Sequence, residues 1–384
     1  GRNRHYGRVG EADLVMTTYQ LLSNDLPFLK RRNWPLVVVD EAQNLKNPDT
    51  KASRSLRQVP AAGRMALTGT PMENSLQDLW SLFDWLNPGL LGDRKTFRDL
   101  FRTPIEKHGD SEAQGRLNRR VAPFLLRRTK DEVASELPPR TEIVDEVILG
   151  EEQKALYESV RSTMDKEVRD AIARKGFASS QVTILSALLK LRQVCCDPAL
   201  VKSEGARPVR RSAKRERLLE LLKELIAQGR RVLVFSQFVE MLDLIRTDLN
   251  EAGIEHLMLT GQTRKRGEVL DAFRDGTAPV FLISLKAGGV GLNLTEADTV
   301  ILYDPWWNPA VERQAMDRAH RIGQEKPVFV HRLVAAGTVE DRILALQDRK
   351  QALADALLKK GVTDPMSKAL DEETLADLFA PLTG

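Results

Sequence analysis

Short apolar runs alternate with helix-length amphipathic segments over the C-terminal part of this 384-residue chain. Segments of helical length, such as Val239–Asn250 and Arg264–Arg274, separate the runs from one another. The apolar runs occur at Val232–Phe235, His256–Leu259, Val280–Ile283, Val300–Leu302 and Val328–Val330. Continuous apolar strands separated by helices are typical of a parallel sheet that is covered on both faces. The pattern therefore predicts an α/β fold with a doubly wound parallel sheet.

The N-terminal part of the chain repeats this pattern more briefly. Apolar runs occur at Leu14–Met16, Leu36–Val39 and Met65–Leu67, with helical segments between them. We expect the second of these runs to form a buried strand. Because a doubly wound sheet normally has about five or more strands, three strands predict a lobe that is incomplete.

Between the two α/β regions the chain is charged and mostly helical in pattern. The segment Glu151–Arg174 contains good helix formers, and Pro138-Pro139 predicts a hinge. Val339 and Ile343 begin a long amphipathic helix near the C-terminus. The predicted division is an incomplete lobe at 1–98, a helical protrusion and linker at 99–140, a helical insertion at 141–205, a second lobe at 206–337, and an amphipathic helix with a tail at 338–384.

The composition is that of an ordinary globular protein, with 42% hydrophobic and 29% charged residues. No apolar run reaches the length of a membrane-spanning helix, so a membrane partner is not expected. The two cysteines, Cys195 and Cys196, are adjacent, which suits neither a disulfide framework nor a zinc site. A net charge of +4 permits nucleic-acid binding without demonstrating it.

Two acidic residues, Asp40 and Glu41, follow the strand predicted at Leu36–Val39. Ligands of open parallel sheets bind at the carboxyl ends of the strands, where these carboxylates are expected. Asp40 is a candidate Mg²⁺ ligand, and Glu41 is a candidate for polarising an attacking water. An acidic turn after a core strand is the alternative that this pair leaves open.

Hydroxyl groups follow the two other strands predicted for this lobe. Thr68, Gly69 and Thr70 come directly after the third apolar run. Hydroxyls around a glycine can contact a γ-phosphate and the nearby backbone, or they can simply cap a turn. Thr17 and Thr18 follow the first run and offer donors of the kind that contact phosphate oxygens.

Polar and glycine-rich segments also follow the strands predicted for the second lobe. Ser236 and Gln237 follow the first of these strands, and a glycine-rich loop follows the third. Three glycines within four positions allow a backbone to approach phosphate or sugar closely. The loop residues that we single out are Gly288, Gly289, Gly291 and Asn293.

Adjacent tryptophans, Trp306 and Trp307, follow the fourth strand. They can stack on nucleic-acid bases or anchor the loop to the core, and anchoring is the more common use. A helix-forming run then carries Arg318 and Arg321, three positions apart, with Gln314 one turn before them. This spacing predicts two guanidinium groups on one helical face, which suits a transferring γ-phosphate. A solvated basic face is the alternative.

These motifs follow one another in an order that resembles the SWI/SNF-type ATPases of helicase superfamily two. The resemblance covers about residues 11–358 and is carried by Asp40–Gln43, Leu67–Asn74, Phe124–Lys130, Val234–Phe238, the glycine-rich loop, Asp304–Pro309 and Arg318–Gln324. It implies two RecA-like lobes with helical insertions, ATP and Mg²⁺ as cofactors, and double-stranded DNA as a partner. Members of this family move on duplex DNA and displace bound proteins. Whether the displaced partner is a nucleosome, RNA polymerase or a repair protein stays open.

The resemblance also implies a role for each matching residue. Asp40 would coordinate Mg²⁺, and Glu41 would activate water. Arg318 and Arg321 would contact the γ-phosphate as arginine fingers. Nucleotide contacts would come from Gly289, Gly291, Gln314 and Gln324. DNA contacts would come from Thr17, Thr18, Thr68, Gly69, Thr70, Ser236, Gln237, Gly288, Asn293, Trp306 and Trp307. The helix that begins at residue 338 would be a brace against the first lobe.

One motif of the family is absent from this sequence. The phosphate-binding loop G-x-x-x-x-G-K-[ST] does not occur, and none of the 24 glycines is followed by lysine. We therefore expect the chain to begin after that loop and to hydrolyse no ATP by itself, although its parent is an ATPase. A non-catalytic DNA-binding or scaffold module with a helicase-like fold is the alternative. The expected location is the bacterial cytoplasm and nucleoid, which the Ala-, Leu- and Arg-rich composition favours, or the nucleus if the source is eukaryotic.

Overall fold

The computed structural model describes residues 7–68, 76–126, 128, 134, 136–201, 209, 211–288, 291–307, 309–348 and 372–382. These residues form two compact units, one from 7–126 and the other from 128–348 and 372–382. The domain boundaries that we place at 98, 140, 205 and 337 stay predictions. None of the helices in the described ranges is both long and apolar enough to cross a membrane.

The first unit is built around a two-stranded parallel sheet. Strand β1, Trp34–Val39, pairs with strand β2, Ala61–Ala66, along their whole length. The helices are α1 (Tyr19–Leu29), α2 (Lys51–Leu56), α3 (Leu76–Leu86), α4 (Arg94–Phe97), α5 (Thr103–His108) and α6 (Ser111–Val121), with a π-helical turn at Arg98–Arg102. Helices α1, α2 and α3 share an apolar core with the carboxyl end of β1.

One face of this sheet is open among the described residues. Val39 is buried in the core with the helices, whereas Leu36 is 51% exposed. The expectation that the run Leu36–Val39 is buried throughout is therefore wrong, because successive side chains of a strand point to opposite faces. The run Leu14–Met16 forms no strand, and Leu14 is 75% exposed. A strand needs a neighbour that pairs with its backbone N–H and C=O groups, and no strand in the described part of the chain pairs with Leu14–Met16.

The second unit contains a six-stranded parallel sheet, which confirms the predicted α/β fold. The strand order is β3-β8-β7-β4-β6-β5, and every neighbouring pair is parallel. The strands are β3 (Arg140–Val147), β4 (Val232–Ser236), β5 (His256–Leu259), β6 (Val280–Ser284), β7 (Thr299–Leu302) and β8 (Val328–Ala335). All residues of β4, β6 and β7 are buried, as continuous apolar runs predict.

Strand β3 is absent from the sequence-based prediction. It lies at the edge of the sheet and pairs only with β8, with Arg140 opposite Val328. Four of its eight residues are charged and only three are apolar, and most of its residues are exposed or half-buried. Charged edge strands are common because charge discourages pairing with another chain. Such a strand lacks the continuous apolar run by which the inner strands are recognised.

The helices of the second unit cover both faces of this sheet. They are α7 (Glu151–Lys175), α8 (Gln181–Cys196), α9 (Ala213–Ala227), α10 (Val239–Glu251), α11 (Arg266–Arg274), α12 (Leu285–Gly288), α13 (Pro309–Met316), α14 (339–348) and α15 (Glu372–Leu378). Helix α7 confirms the helix predicted at Glu151–Arg174. Acidic residues lie in its first turn and basic residues in its last, which complements the helix dipole.

Three apolar cores hold the second unit together. Leu233 and Phe235 of β4 face one core, and Val232 and Val234 face the core on the other side of the sheet. This alternation is the two-residue period of a strand. The third core joins α7 and α8 to the first turns of α14 and to α15. The amphipathic helix predicted to start near residue 338 thus begins as expected. Residues 349–371, which would continue it, lie outside the described ranges.

The order of the strands places the carboxyl ends of three of them side by side. Strand β4 lies between β6 and β7, and the chain crosses β6 to reach β5. In open parallel sheets ligands bind outside the carboxyl ends of the strands, where the strand order reverses. The segments that follow β4, β6 and β7 therefore form the candidate site of this unit.

Candidate functional site

Two polar segments of the first unit meet at the carboxyl end of β1. The hydroxyl of Tyr19 donates to the backbone oxygen of Asp40 at 2.8 Å. Thr17 and Thr18 directly precede Tyr19 in the sequence, and both threonines are exposed. Thr18 begins helix α1, since its carbonyl accepts from the N–H groups of the first turn. Contact of these threonines with DNA stays a prediction.

A hydrogen-bonded relay links the acidic pair to the segment after β2. The N–H of Leu67 donates to the oxygen of Val39 at 2.8 Å, which places Thr68 beside the acidic segment. The hydroxyl of Thr68 donates to Gln43 Oε1 at 2.8 Å, and Gln43 Nε2 donates to Glu41 Oε2 at 2.6 Å. Two hydrogen bonds therefore connect Thr68 with the Glu41 carboxylate. Gly69 and Thr70, predicted to act beside Thr68, lie outside the described residues.

Glu41 has an uncommon backbone conformation. Its φ of 51° and ψ of 50° lie in the left-handed region. No other non-glycine residue of the described ranges has a positive φ. The left-handed conformation costs an L-residue roughly 1–2 kcal/mol. Strain of this kind concentrates at functional sites, where the surrounding structure holds it in place. The conformation therefore favours a functional role for Glu41 over a simple acidic turn.

Asp40 has the chemistry that a Mg²⁺ ion requires. Its side chain is exposed, and its Oδ1 accepts from the N–H of Glu41 at 2.9 Å. An exposed carboxylate fits an ion that takes its other ligands from water and phosphate. The described residues contain no cluster of three or more His, Cys, Asp and Glu side chains that could enclose a metal. Burial, and then the charges of Asp40 and Glu41, raise the pKa of Tyr19 to about 12, so this hydroxyl stays a donor.

In the second unit, the segments after β4 and β7 are joined by hydrogen bonds. Asp304 Oδ1 accepts from the N–H of Gln237 at 3.1 Å. The hydroxyl of Ser236 donates to Asp304 Oδ2 at 3.4 Å and accepts from the N–H of Phe238 at 3.1 Å. Ser236 is completely buried, which disfavours the predicted contact of its hydroxyl with DNA. Gln237 is partly exposed, and its contact with DNA stays a prediction.

Buried charges lie next to this junction. Lys214 and Glu340 form an ion pair of 2.7 Å, and neither side chain is exposed. Burial acts to lower the pKa of Lys214, but the Glu340 carboxylate and other nearby acidic groups raise it above its ordinary value. Burial raises the pKa of Asp304 to about 6, against the lowering effect of the cationic Arg192 and Lys214.

Both tryptophans pack against apolar cores, each against a different one. Trp306 packs on the core of β4 and β6, and Trp307 packs on the core shared by α7 and α8. The N–H of Trp306 donates to Glu312 Oε1 at 2.6 Å, and Gln347 Nε2 donates to the oxygen of Trp306. These contacts support the anchoring alternative. Both side chains keep some exposed surface, and their contact with DNA stays a prediction.

The glycines of the loop after β6 serve different purposes. A Cβ atom at Gly288 would lie 2.9 Å from Phe235 Cε1, so packing of α12 against β4 requires glycine here. This packing contact accounts for the glycine at 288 without a ligand, and the contact of Gly288 with DNA stays a prediction. Gly291 has a φ of 46°, with open space beside it, and Asn293 is exposed. Gly289 lies outside the described residues.

The two arginines do not share a helical face. Helix α13 ends at Met316, and both arginines lie in the turns that follow. Arg318 is 7% exposed, and its Nη1 donates to the oxygen of Leu292 at 3.3 Å, whereas Arg321 is exposed. The prediction of one helical face with Gln314 a turn before the arginines is therefore wrong. Gln314 is partly exposed on α13, and its contact with nucleotide stays a prediction.

The side chain of Gln324 is hydrogen-bonded within the turns that follow α13. Its Nε2 lies 3.0 Å from the oxygen of Thr295, 2.8 Å from that of Ala297 and 3.0 Å from that of Ala319. Gly323 has a φ of 100°, which favours glycine and is incompatible with a helix. These features hold residues 317–324 in turns. The amide of Gln324 is buried and used within the unit, which disfavours the predicted contact with nucleotide.

Three functional candidates were not singled out by the sequence analysis. Gln43 belongs to a quoted motif, but only the structure shows that its amide joins Glu41 to Thr68. Glu312 and Arg192 are buried and contact the segment after β7. A signal for Arg192 exists in the sequence, since it is a charge within the mainly apolar segment of α8. Charged residues are almost never fully buried unless they are paired.

The fold and the motifs at the strand ends define a helicase-like α/β protein with RecA-like lobes. Residues 2–200 match the family model of the SNF2-related domain. Residues 213–323 match the model of the helicase conserved C-terminal domain. The chain belongs to the SNF2-related family.

Named relatives of this chain come from bacteria and from eukaryotes. A Bacillus subtilis protein, described as a candidate ATP-dependent helicase/translocase, is 40% identical over 94% of this chain and 40% of its own length. The ISWI chromatin-remodelling complex ATPase of Saccharomyces cerevisiae is 34% identical over 93% of this chain and 32% of its own length. This chain therefore spans 40% or less of the length of these two relatives.

A solved structure with a similar fold contains duplex DNA. The SWI2/SNF2 ATPase core of Sulfolobus solfataricus in complex with dsDNA is 37% identical to this chain, with a TM-score of 0.50. The match covers 96% of this chain and 77% of that one. A second structure of that ATPase core domain matches with a TM-score of 0.52.

Proposed function

We propose that this chain is part of an ATP-dependent motor that moves on double-stranded DNA and displaces bound proteins. The observation that carries this proposal is the relay from Thr68 through Gln43 to the strained Glu41, beside the exposed Asp40. A relay of this kind couples a segment suited to phosphate backbone contact with a carboxylate suited to activating water. The dsDNA complex of the Sulfolobus relative and the remodelling activity named for the yeast relative support it.

The residues of the first unit divide the ATP chemistry between them. When bound, Mg²⁺·ATP would supply the phosphoryl group that is transferred to water. Asp40 would hold a Mg²⁺ ion through its exposed carboxylate, and Glu41 would accept the proton of an attacking water. Gln43 orients the Glu41 carboxylate through its 2.6 Å hydrogen bond. The hydroxyl of Thr68 donates to the same amide, so a movement of the segment after β2 would change the position of Gln43 and, through it, of the Glu41 carboxylate.

The residues of the second unit contribute the remaining contacts of the motor. Arg321 is exposed and is assigned to the γ-phosphate as an arginine finger. Gln237, Asn293 and the two tryptophans are assigned to the DNA backbone. Backbone contacts favour movement along any sequence, because phosphates carry no sequence information. The displaced proteins belong to the class of DNA-bound proteins, with nucleosomes, RNA polymerase and repair proteins as candidates.

A non-catalytic scaffold is the second candidate function, and ATP turnover separates the two. We expect residues 1–384 alone to hydrolyse no ATP above background with duplex DNA present, because they contain no G-x-x-x-x-G-K sequence to hold the phosphates. We expect DNA-stimulated hydrolysis in the natural full-length protein, measured by phosphate release. The Glu41→Gln variant distinguishes contamination from true activity. Turnover by residues 1–384 that this variant abolishes would contradict the first expectation, and no turnover by the full-length protein would favour the scaffold.

Duplex DNA is expected to bind this chain weakly and with strong salt dependence. The dissociation constant should be roughly 10⁻⁴ to 10⁻⁶ M at physiological salt, the range of nonspecific binding by counterion release. Fluorescence anisotropy of labelled duplexes of two unrelated sequences, titrated between low and physiological salt, measures both properties. Equal affinity for the two sequences is expected.

Matched asparagine variants locate the DNA surface on the second unit. Asn293→Asp places a negative charge beside the proposed phosphate contact and should weaken binding about fivefold, since two like charges at 4 Å in water repel by about 1 kcal/mol. Asn250→Asp makes the same change at an exposed position of α10 and should leave the affinity unchanged. Salt-insensitive binding, or equal effects of the two variants, would argue against the assigned surface.

A further inference from the structure

Arg192 lies across the two polar segments of the second unit. It is on helix α8 and only 2% exposed. Its Nη1 donates to Gln237 Oε1 at 3.1 Å, in the segment after β4, and its Nη2 donates to the oxygen of Pro305, in the segment after β7. Its guanidinium also lies over the ring of Trp306, 5.6 Å from the centroid. One side chain from outside the sheet therefore contacts both segments.

The geometry of the guanidinium makes these contacts mutually dependent. The group is planar and rigid, so two acceptors at two of its nitrogens are held at a set separation. The ring of Trp306 adds a cation–π contact on one side of the group. A movement of either segment therefore changes the contact with the other, and a movement of α8 acts on both.

Side chains of two further helices bind the backbone of Trp306. Glu312 of α13 accepts from its N–H, and Gln347 of α14 donates to its oxygen. Asp304 ties the same segment to the backbone of Gln237. The segment after β7 is thus held by side chains of α13 and α14 and by the backbone of the residue that follows β4. Arg192 adds the connection to the helical layer of α7 and α8.

We propose that Arg192 is a positioning residue, which holds Gln237 and Trp306 in the arrangement that contacts the DNA backbone and couples that arrangement to helix α8. Its guanidinium is buried and touches no DNA itself, so it acts through the two residues that it holds. This inference rests on the proposed DNA-binding function for the part that concerns affinity. The part that concerns the placement of Trp306 is independent of DNA.

The test compares Arg192→Lys with Arg215→Lys in the whole chain. Arg215 is a matched control because it also makes a forked contact, with Asp248 and Asp197, neither of which belongs to the two segments. In each variant lysine keeps the charge and loses the fork. Thermal unfolding measures the cost to folding, which we expect to be similar in the two. Each protein is labelled with 5-fluorotryptophan, and Trp306→Phe assigns the resonance of Trp306 among the five tryptophans.

Arg192→Lys is expected to shift or broaden the Trp306 resonance and to weaken duplex binding about tenfold. Arg215→Lys should leave that resonance in place and change the affinity less than twofold. An unchanged Trp306 resonance in folded Arg192→Lys would overturn the proposal, as would equal losses of affinity in the two variants. If the wild-type chain binds no duplex, the proposed function fails, and the resonance alone then decides the role of Arg192.

Discussion

Replacing Glu340 by glutamine is expected to lower the free energy of unfolding of the second unit by about 3–5 kcal/mol. The carboxylate of Glu340 accepts from Lys214 Nζ at 2.7 Å and from the N–H of Ala335 at 2.9 Å, with no exposed surface. The variant keeps the shape of the side chain and removes its charge. Lys214 is then left as a buried cation without its carboxylate partner, and this desolvated charge causes the loss.

Urea unfolding followed through the fluorine signals of Trp306 and Trp307 measures this effect in the second unit. An exposed ion pair supplies the control, because Glu268 pairs with Lys265 on the surface of the same unit. Glu268→Gln should change the free energy of unfolding by less than about 0.5 kcal/mol.

The double variant Lys214→Met/Glu340→Gln separates the two causes of the loss. It removes the stranded cation together with the carboxylate, and replacement of both partners of a buried pair is often nearly neutral. We therefore expect it to recover most of the stability lost in Glu340→Gln. A Glu340→Gln variant as stable as the Glu268→Gln control would show that the buried pair does not stabilise the fold.

Replacing Arg321 by alanine is expected to lower ATP turnover by the natural full-length protein by about 10³-fold or more, the usual effect of removing an arginine finger. The stability of the chain and its affinity for duplex DNA should hardly change. Arg321 is exposed, whereas Arg318 is buried with its guanidinium on the oxygen of Leu292. The two variants should therefore differ in stability. Arg321→Ala should hardly change the stability of the chain, whereas Arg318→Ala should destabilise the second unit.

Phosphate release at saturating DNA, together with duplex anisotropy and thermal unfolding, measures these three properties on the same preparations. Arg246→Ala is the control, because Arg246 is an exposed arginine of α10 that pairs with Asp243. Its loss should leave turnover within about twofold. A large loss of DNA affinity in Arg321→Ala would mean that this arginine contacts DNA rather than nucleotide.

The inner strands of the second unit follow from local pattern alone. The apolar runs at Val232–Phe235 and Val280–Ile283 are long enough and uniform enough that only burial on both faces suits them. The long helix at Glu151–Lys175 follows in the same way from propensity and from charges placed at its ends. The family follows from motifs whose order along the chain needs no coordinates.

Features that depend on distant contacts could not be read from the sequence. Arg318 and Arg321 have helical spacing, but the amide of Gln324 and the φ of Gly323 hold the chain in turns instead. The run Leu36–Val39 looks like a buried strand, yet one of its faces has no covering element among the described residues. The local sequence pattern indicates which secondary structure a segment favours, but it does not show which other elements pack against that segment.

By itself the sequence determined the α/β class, the inner strands and the family, because each depends on apolar periodicity or on residues that are close along the chain. The tertiary structure alone decided that Gln43 joins Thr68 to Glu41. It also decided that Arg192 contacts two segments, at Gln237, which is 45 positions away in the sequence, and at Pro305, which is 113 positions away. It also decided that Ser236 is buried and Arg321 exposed. Hydrogen bonds and burial between residues so distant arise only when the sheet has brought the ends of its strands together.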